Sequence, residues 1–150
     1  MTLLPESRAF SWGAFLGDTR VEFDTRLDIW ESFVSSLPPS DFPLVHKFPP
    51  GLYVREITMP AGAIITSRIH KYESPFIISK GRVMVVSENE GTVIYDAPHS
   101  GITKPETRRL LVVLEDSVWT TFHANPENIT DVDTVTDMFT YQKHNPYLED

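Results

Sequence analysis

Apolar residues recur at three- and four-residue steps through "DTRLDIWESFVSSL", residues 24–37. Leu27, Trp30, Val34 and Leu37 make one stripe, which Ile29 and Phe33 widen. This spacing predicts an amphipathic helix, opened by Asp24 or Thr25 as a cap and ended by "PPS" at 38–40. From Pro43 to Ala124 the pattern changes to short β-rich runs: "LYVREITM", "AIITSRI", "PFIISK", "RVMVVSE", "TVIYDA", "GITK", "RLLVVLE" and "VWTTFHA". Turn signals such as "PPG", "PAG", "SKG", "ENEG" and "KPET" separate them. Strands at this spacing, with no long helix between them, predict an antiparallel sandwich or barrel rather than a parallel α/β sheet. Residues 129–139, "ITDVDTVTDMF", predict a second helix, with Val132, Val135 and Phe139 on one face and a capping box of Thr130 with Asp133. The tail "YQKHNPYLED" has no period.

The 150 residues are read as one domain: an N-terminal helical arm over 1–42, a β region over 43–124 and a C-terminal helix and tail over 125–150. No apolar run reaches membrane-spanning length, and "MTLLPESRAFSW" lacks the charge and apolar pattern of a signal peptide. The absence of cysteine removes disulfides and thiolate metal sites and fits a reducing cytoplasm. A net charge of −8 argues against a nucleic-acid polymer or a membrane surface as partner. The charge is unevenly spread: residues 51–110 hold eight Lys/Arg against six Asp/Glu, a mildly basic middle in an acidic chain.

The segment "GLYVREITMPAGAIITSRIHKYESPFIISKGRVMV" resembles the first half of a cupin. That resemblance implies an RmlC-like double-sheet jelly roll whose two motifs hold a divalent metal through three histidines and a glutamate. On this chain Gly62 and Gly81 take the opening and closing glycines of the first motif. Arg68 then stands at the first histidine, His70 at the second and Ser74 at the glutamate. In the second motif Pro105 is the proline, Thr107 takes the glycine and Leu110 the histidine. More narrowly, "PFIISKGRV", "GITKP" and "EDSVWTTFH" are similar to small cupin-like proteins of tailed bacteriophages. Of the four ligand positions only His70 is kept, so no metal or other cofactor is expected. Glu73 is one residue out of place, and a one-residue shift in a strand turns a side chain to the other face. His99 and His123 are the remaining candidates for a rearranged metal site.

What survives is cationic. Arg68 and His70 share the face that points inward in a cupin, and a buried charge needs a counter-anion. Glu56 or Glu115 would serve internally; a bound carboxylate or phosphate would serve otherwise. In "GITKPETRR", Lys104, Thr107, Arg108 and Arg109 surround a proline turn. Arg108 and Arg109 either alternate, one solvated and one ion-paired, or one of them joins Arg68 around an anion. In "VWTTFHA", Trp119, Thr121 and His123 share a face; turned inward, His123 and Thr121 meet His70, the parts of an acid–base pair. Tyr53, Tyr72 and Trp119 are candidate stacking surfaces for a base.

The expected function is therefore binding of a small anionic, phosphorylated, nucleotide-type ligand by Arg55, Arg68, His70, Tyr72, Lys104, Thr107, Arg108, Arg109 and Trp119. The phage resemblance extends this to sequestering a host nucleotide signal in the host cytoplasm. The alternatives are a metal-independent phosphodiesterase with His70, His123 and Thr121 as catalytic groups, a metal-dependent cupin enzyme, or a virion or assembly protein. A homodimer or higher homo-oligomer is expected, because the stripe Leu27, Trp30, Val34 and Leu37 must bury against something.

Overall fold

A computed structural model of the chain describes residues 2–3, 23, 26–28, 42–88 and 90–141. The described strands are β1 (Thr2–Leu3), β2 (Leu44–Lys47), β3 (Leu52–Met59), β4 (Ala63–Thr66), β5 (Ile69–His70), β6 (Ser74–Ser87), β7 (Gly91–Asp96), β8 (His99–Thr103), β9 (Arg109–Ala124) and β10 (Thr140–Tyr141). Every pairing among them is antiparallel. The two long strands, β6 and β9, lie side by side and each serves two neighbourhoods. The second half of β6 and the first half of β9 form one half-sheet, in the order β7-β6-β9-β4-β1. Their other halves form a second, in the order β8-β6-β9-β3-β2. No pairing among the described residues closes this double sheet into a continuous barrel.

Alternation decides which side chains meet between the half-sheets. Ile57, Met59, Phe76, Ile78 and Trp119 from one pack against Ala63, Val83, Val85, Leu111 and Val113 from the other, making the main core. The outer face of the first half-sheet is covered separately. Phe23 and Leu27, in the helical residues near the N-terminus, bury against Ile64, Val86 and Leu110. Leu27 is thus fully buried within its own chain, and its burial calls for no partner subunit. The rest of the predicted stripe, Ile29, Trp30, Phe33, Val34 and Leu37, lies outside the described residues.

Several boundaries differ from the sequence expectation. The runs at 75–80 and 82–88 are one strand, and so are those at 109–115 and 118–124. Register shifts between Ile78 and Val83 absorb the break that "SKG" suggested, bending β6 without ending it. The short strand β2 escaped notice because "LVHK" has no apolar–polar alternation, is largely exposed and is flanked by prolines. The C-terminal helix runs Val132–Phe139, shorter than 129–139, and its cap is Asp131, whose carboxylate accepts from the Thr134 amide; Thr130 and Asp133 make no capping box.

Gly81 is the hinge of that bend. Its φ is +93°, and a Cβ built there would stand 2.1 Å from Ser117 Oγ and 2.4 Å from the Asp116 carbonyl oxygen of β9. Both the backbone conformation and the contact with main chain forbid a side chain. Gly81→Ala is therefore expected to destabilise the fold by about 3 kcal/mol or more, in the range that marks a specific structural fault. Urea unfolding measures it; a loss below about 1 kcal/mol would mean β6 does not pivot there.

Candidate functional site

Between the inner faces of the two half-sheets lies a cavity of about 180 Å³. Period-two alternation on β3 sends Arg55, Ile57 and Met59 into it. On β9 the same rule brings Arg109 and Leu111 from the first half and Trp119, Thr121 and His123 from the second. The segment Ile65–Arg68 and His70 supply a further wall. The C-terminal helix lies across the site with Thr136 and Phe139, followed by Thr140. Two anchors fix it there. Strand β10 pairs with β5, opposing Thr140 to His70, and the Lys71 amide donates to the Phe139 carbonyl.

The Thr121–His123 face of β9 turns inward, and the two histidines meet. The rings of His70 and His123 stand edge to face with centroids 5.6 Å apart, and Phe139 stacks on His123 at 3.8 Å. His70 Nδ1 shares a 2.7 Å hydrogen bond with Ser74 Oγ, and His123 Nε2 shares one of 3.0 Å with Thr121 Oγ1. Burial, and then the charges of Arg109 and Arg55, lower the His70 pKa to about 4. Burial, His70 and Arg55 lower that of His123 to about 3. Both imidazoles are therefore neutral at pH 7. The pair offers two bases but no imidazolium to serve as the acid, which weakens its use as an acid–base couple.

The central positive charge is Arg109, 8% exposed, rather than Arg68. The Arg109 guanidinium lies 5.6 Å from the Phe76 ring centroid and 5.5 Å from that of Trp119. Its Nε is buried without a hydrogen-bond partner among the described residues. Desolvation lowers its pKa to about 10. Glu90 borders the smaller cavity on its other side, where the Tyr95 hydroxyl donates to it, and makes no ion pair with Arg109. Arg55 is also desolvated, and its pKa is lowered by burial. Arg68 stands at the rim because β4 ends at Thr66; its side chain is 37% exposed. Its partner is neither Glu56 nor Glu115 but Asp137 of the C-terminal helix, at 3.0 Å.

Other expected ligand groups are elsewhere. Arg108 points the opposite way from Arg109 and pairs with Asp28 at 3.1 Å. The two arginines thus alternate, but neither is solvated. Lys104 and Thr107 border only the smaller cavity behind Arg109. Tyr72 is 64% exposed and off the site, and Tyr53 is fully buried with its hydroxyl 2.7 Å from His46 Nδ1. Trp119 lines the cavity, but Phe76 stacks on its ring at 4.8 Å and Arg109 lies over it, so it presents no stacking platform for a base. Leu110 belongs to the outer cluster, which shifts the second motif by one: the inward residue is Arg109. The wall residues Thr136, Phe139 and Thr140 went unrecognised in the sequence; the pairing of Val135 with Phe139 gave the buried face of their helix but not what it covers.

The donor set does not suit a divalent metal. Two imidazoles face the cavity, each already sharing a hydrogen bond, and the other polar groups there are hydroxyls and guanidiniums. His99 stacks on Tyr95, with ring centroids 4.2 Å apart, and is not a cavity residue. No three His, Asp or Glu come together as a ligand set among the described residues.

No family model matches the chain, and no curated protein matches it in sequence. Solved structures do match. A protein with a double-stranded β-helix domain from Klebsiella pneumoniae aligns over 83% of this chain and 95% of its own, with a TM-score of 0.50 and 14% identity. A DMSP lyase from Ruegeria pomeroyi aligns over 59% of this chain and 49% of its own, with a TM-score of 0.50 and 11% identity. An RmlC-like cupin family protein from Methanocaldococcus jannaschii aligns over 61% and 87%, with a TM-score of 0.49 and 12% identity. At these identities the likeness is one of fold: the chain has a double-stranded β-helix architecture. No described helix is long and apolar enough to cross a membrane.

Proposed function

We propose that the protein binds a small anion between Arg55 and Arg109. One observation carries this reading: two desolvated guanidiniums face a single cavity, and among the described residues no carboxylate pairs with either. Buried charge of this kind, which for Arg109 only Tyr95 and Glu90 among the described residues support without a direct ion pair, is further offset when an anion arrives. The neutral histidines and the hydroxyls of Thr121 and Thr136 add hydrogen-bonding groups around it. A cavity of about 180 Å³ is smaller than the roughly 300–1,000 Å³ of drug-sized sites. The nucleotide-type ligand expected from the sequence would therefore enter by its anionic head, with the rest outside.

Thermal unfolding against inorganic phosphate, nucleoside monophosphates, cyclic dinucleotides and small carboxylates tests the reading. A fitting anion at ~100 times its dissociation constant adds about 2.7 kcal/mol. For a chain of this size that is about 5–10 °C. Chromatography after incubation is expected to return the ligand intact; a cleaved product would favour the histidine pair as a catalytic device. If no anion raises the melting temperature, the pocket is not an anion site.

A further inference from the structure

The cavity is polar at one end and hydrocarbon at the other. Along β3 the inward side chains run Arg55, Ile57, Met59, a span of about 13 Å at ~3.3 Å per residue. The register places Thr121 beside Arg55 and Trp119 beside Ile57, and across the cavity it places Ile65 beside Leu111. Arg109 lies two residues before Leu111, level with Ser67, whose amide donates to the Arg109 carbonyl. The arginines and histidines thus form one tier. Ile57, Met59, Ile65 and Leu111 form the tier beneath, continuous with the main core.

Two features limit the ligand such a site favours. The C-terminal helix presents its last turn to the cavity through Thr136 and Phe139, and a helix C-terminus carries partial negative charge. Asp137 of the same turn is neutralised by Arg68, so it is the helix end that works against a dianion. Phosphate sites built on helices use the opposite end, where amides point at the ligand. Size sets the other bound: a cavity of about 150 Å³ takes benzene, and this one is slightly larger.

We propose that the ligand is a small monocarboxylate with a short apolar body. Its carboxylate sits between Arg55 and Arg109, and its hydrocarbon lies on Ile57, Met59, Ile65 and Leu111. This rests on the anion reading and narrows it. The arginine fork matches a carboxylate, and the lower tier desolvates the apolar part.

Calorimetric titration with acetate, butyrate, hexanoate, benzoate, hexanamide and inorganic phosphate decides the matter. Affinity is expected to rise about fourfold for each added CH₂ until the cavity is full. Hexanamide, of the same shape as hexanoate but uncharged, is expected to bind at least about tenfold more weakly, as a lost charge-assisted contact requires. Ile65→Thr, at a half-buried wall position, is expected to flatten the chain-length dependence. Phosphate binding more tightly than every carboxylate, or affinity indifferent to chain length, would overturn this inference and leave the anion site standing. Silence from all the anions would remove both.

Discussion

Replacing Arg109 with methionine is expected to make the unliganded protein more stable and to abolish its response to anions. Two effects compete. The guanidinium has favourable contacts with the faces of Phe76 and Trp119, each worth about 0.5–2 kcal/mol. Against them stands the desolvation of a charge with no carboxylate partner, on the order of several kcal/mol. Methionine keeps much of the volume and packs against the same rings through its sulfur. The second effect is the larger, so a net gain of roughly 2 kcal/mol is expected, or about 4–8 °C in melting temperature. The ligand-induced rise, about 2.7 kcal/mol at saturation for the wild type, should vanish. Arg55 is less buried, and its replacement should move stability less. Thermal unfolding of the Arg109→Met variant with and without the best anion measures both quantities. A variant less stable than wild type would show Arg109 to be a structural strut, and the case for an anion site would lose its main support.

Acid is expected to destabilise the fold well before its carboxylates titrate. His70 and His123 have folded pKa values of about 4 and about 3, while an unfolded histidine titrates near 6.5. Their folded values are depressed, so the unfolded state binds protons first as pH falls. Stability is fully present above about pH 6.5 and is lost as pH falls toward about 4 and then 3. A window ending at pH 5 stays above both folded values, so the size of the loss there does not depend on either. Each histidine contributes the interval from about 6.5 to 5, or roughly 2 kcal/mol at 1.36 kcal/mol per unit. Urea unfolding at pH 7.5, 6 and 5 should record a fall of about 4 kcal/mol, and His70→Gln with His123→Phe should remove most of it. A wild-type profile flat over that range would mean that the histidines are solvated and the pocket is open. A bound anion favours the imidazolium forms and should shrink the acid loss.

The fold was legible where alternation is clean. Strand β3 follows "LYVREITM" residue for residue, and the C-terminal helix follows its three-residue apolar face closely. Parity likewise put Thr121 and His123 on one face of their strand, but it is the structure that turns that face toward His70. The choice between Arg108 and Arg109 was not. Parity says that they diverge; only the burial of Leu110 under Leu27 says which way each turns. The partner of Arg68 was hidden by distance, because Asp137 lies 69 residues along the chain. The wall provided by Phe139 was hidden too, because a helix pattern records that a face is buried and not what it covers.

The arrangement of β9 has a consequence for how the chain is made. This strand completes the pairing of β3, β4 and β6, all of which precede it in synthesis. Until residues 109–124 have left the ribosome, neither half-sheet has its central member, and the inner faces of the earlier strands have nothing to close against. Domains rich in such distant pairings fold slowly, since chain ends must meet before contacts reward them. The nascent chain therefore carries Ile57, Met59, Phe76 and Val85 uncovered from their synthesis until Arg109–Ala124 has emerged. The exposed edges and apolar runs of that interval make it the period in which the chain is most prone to aggregate.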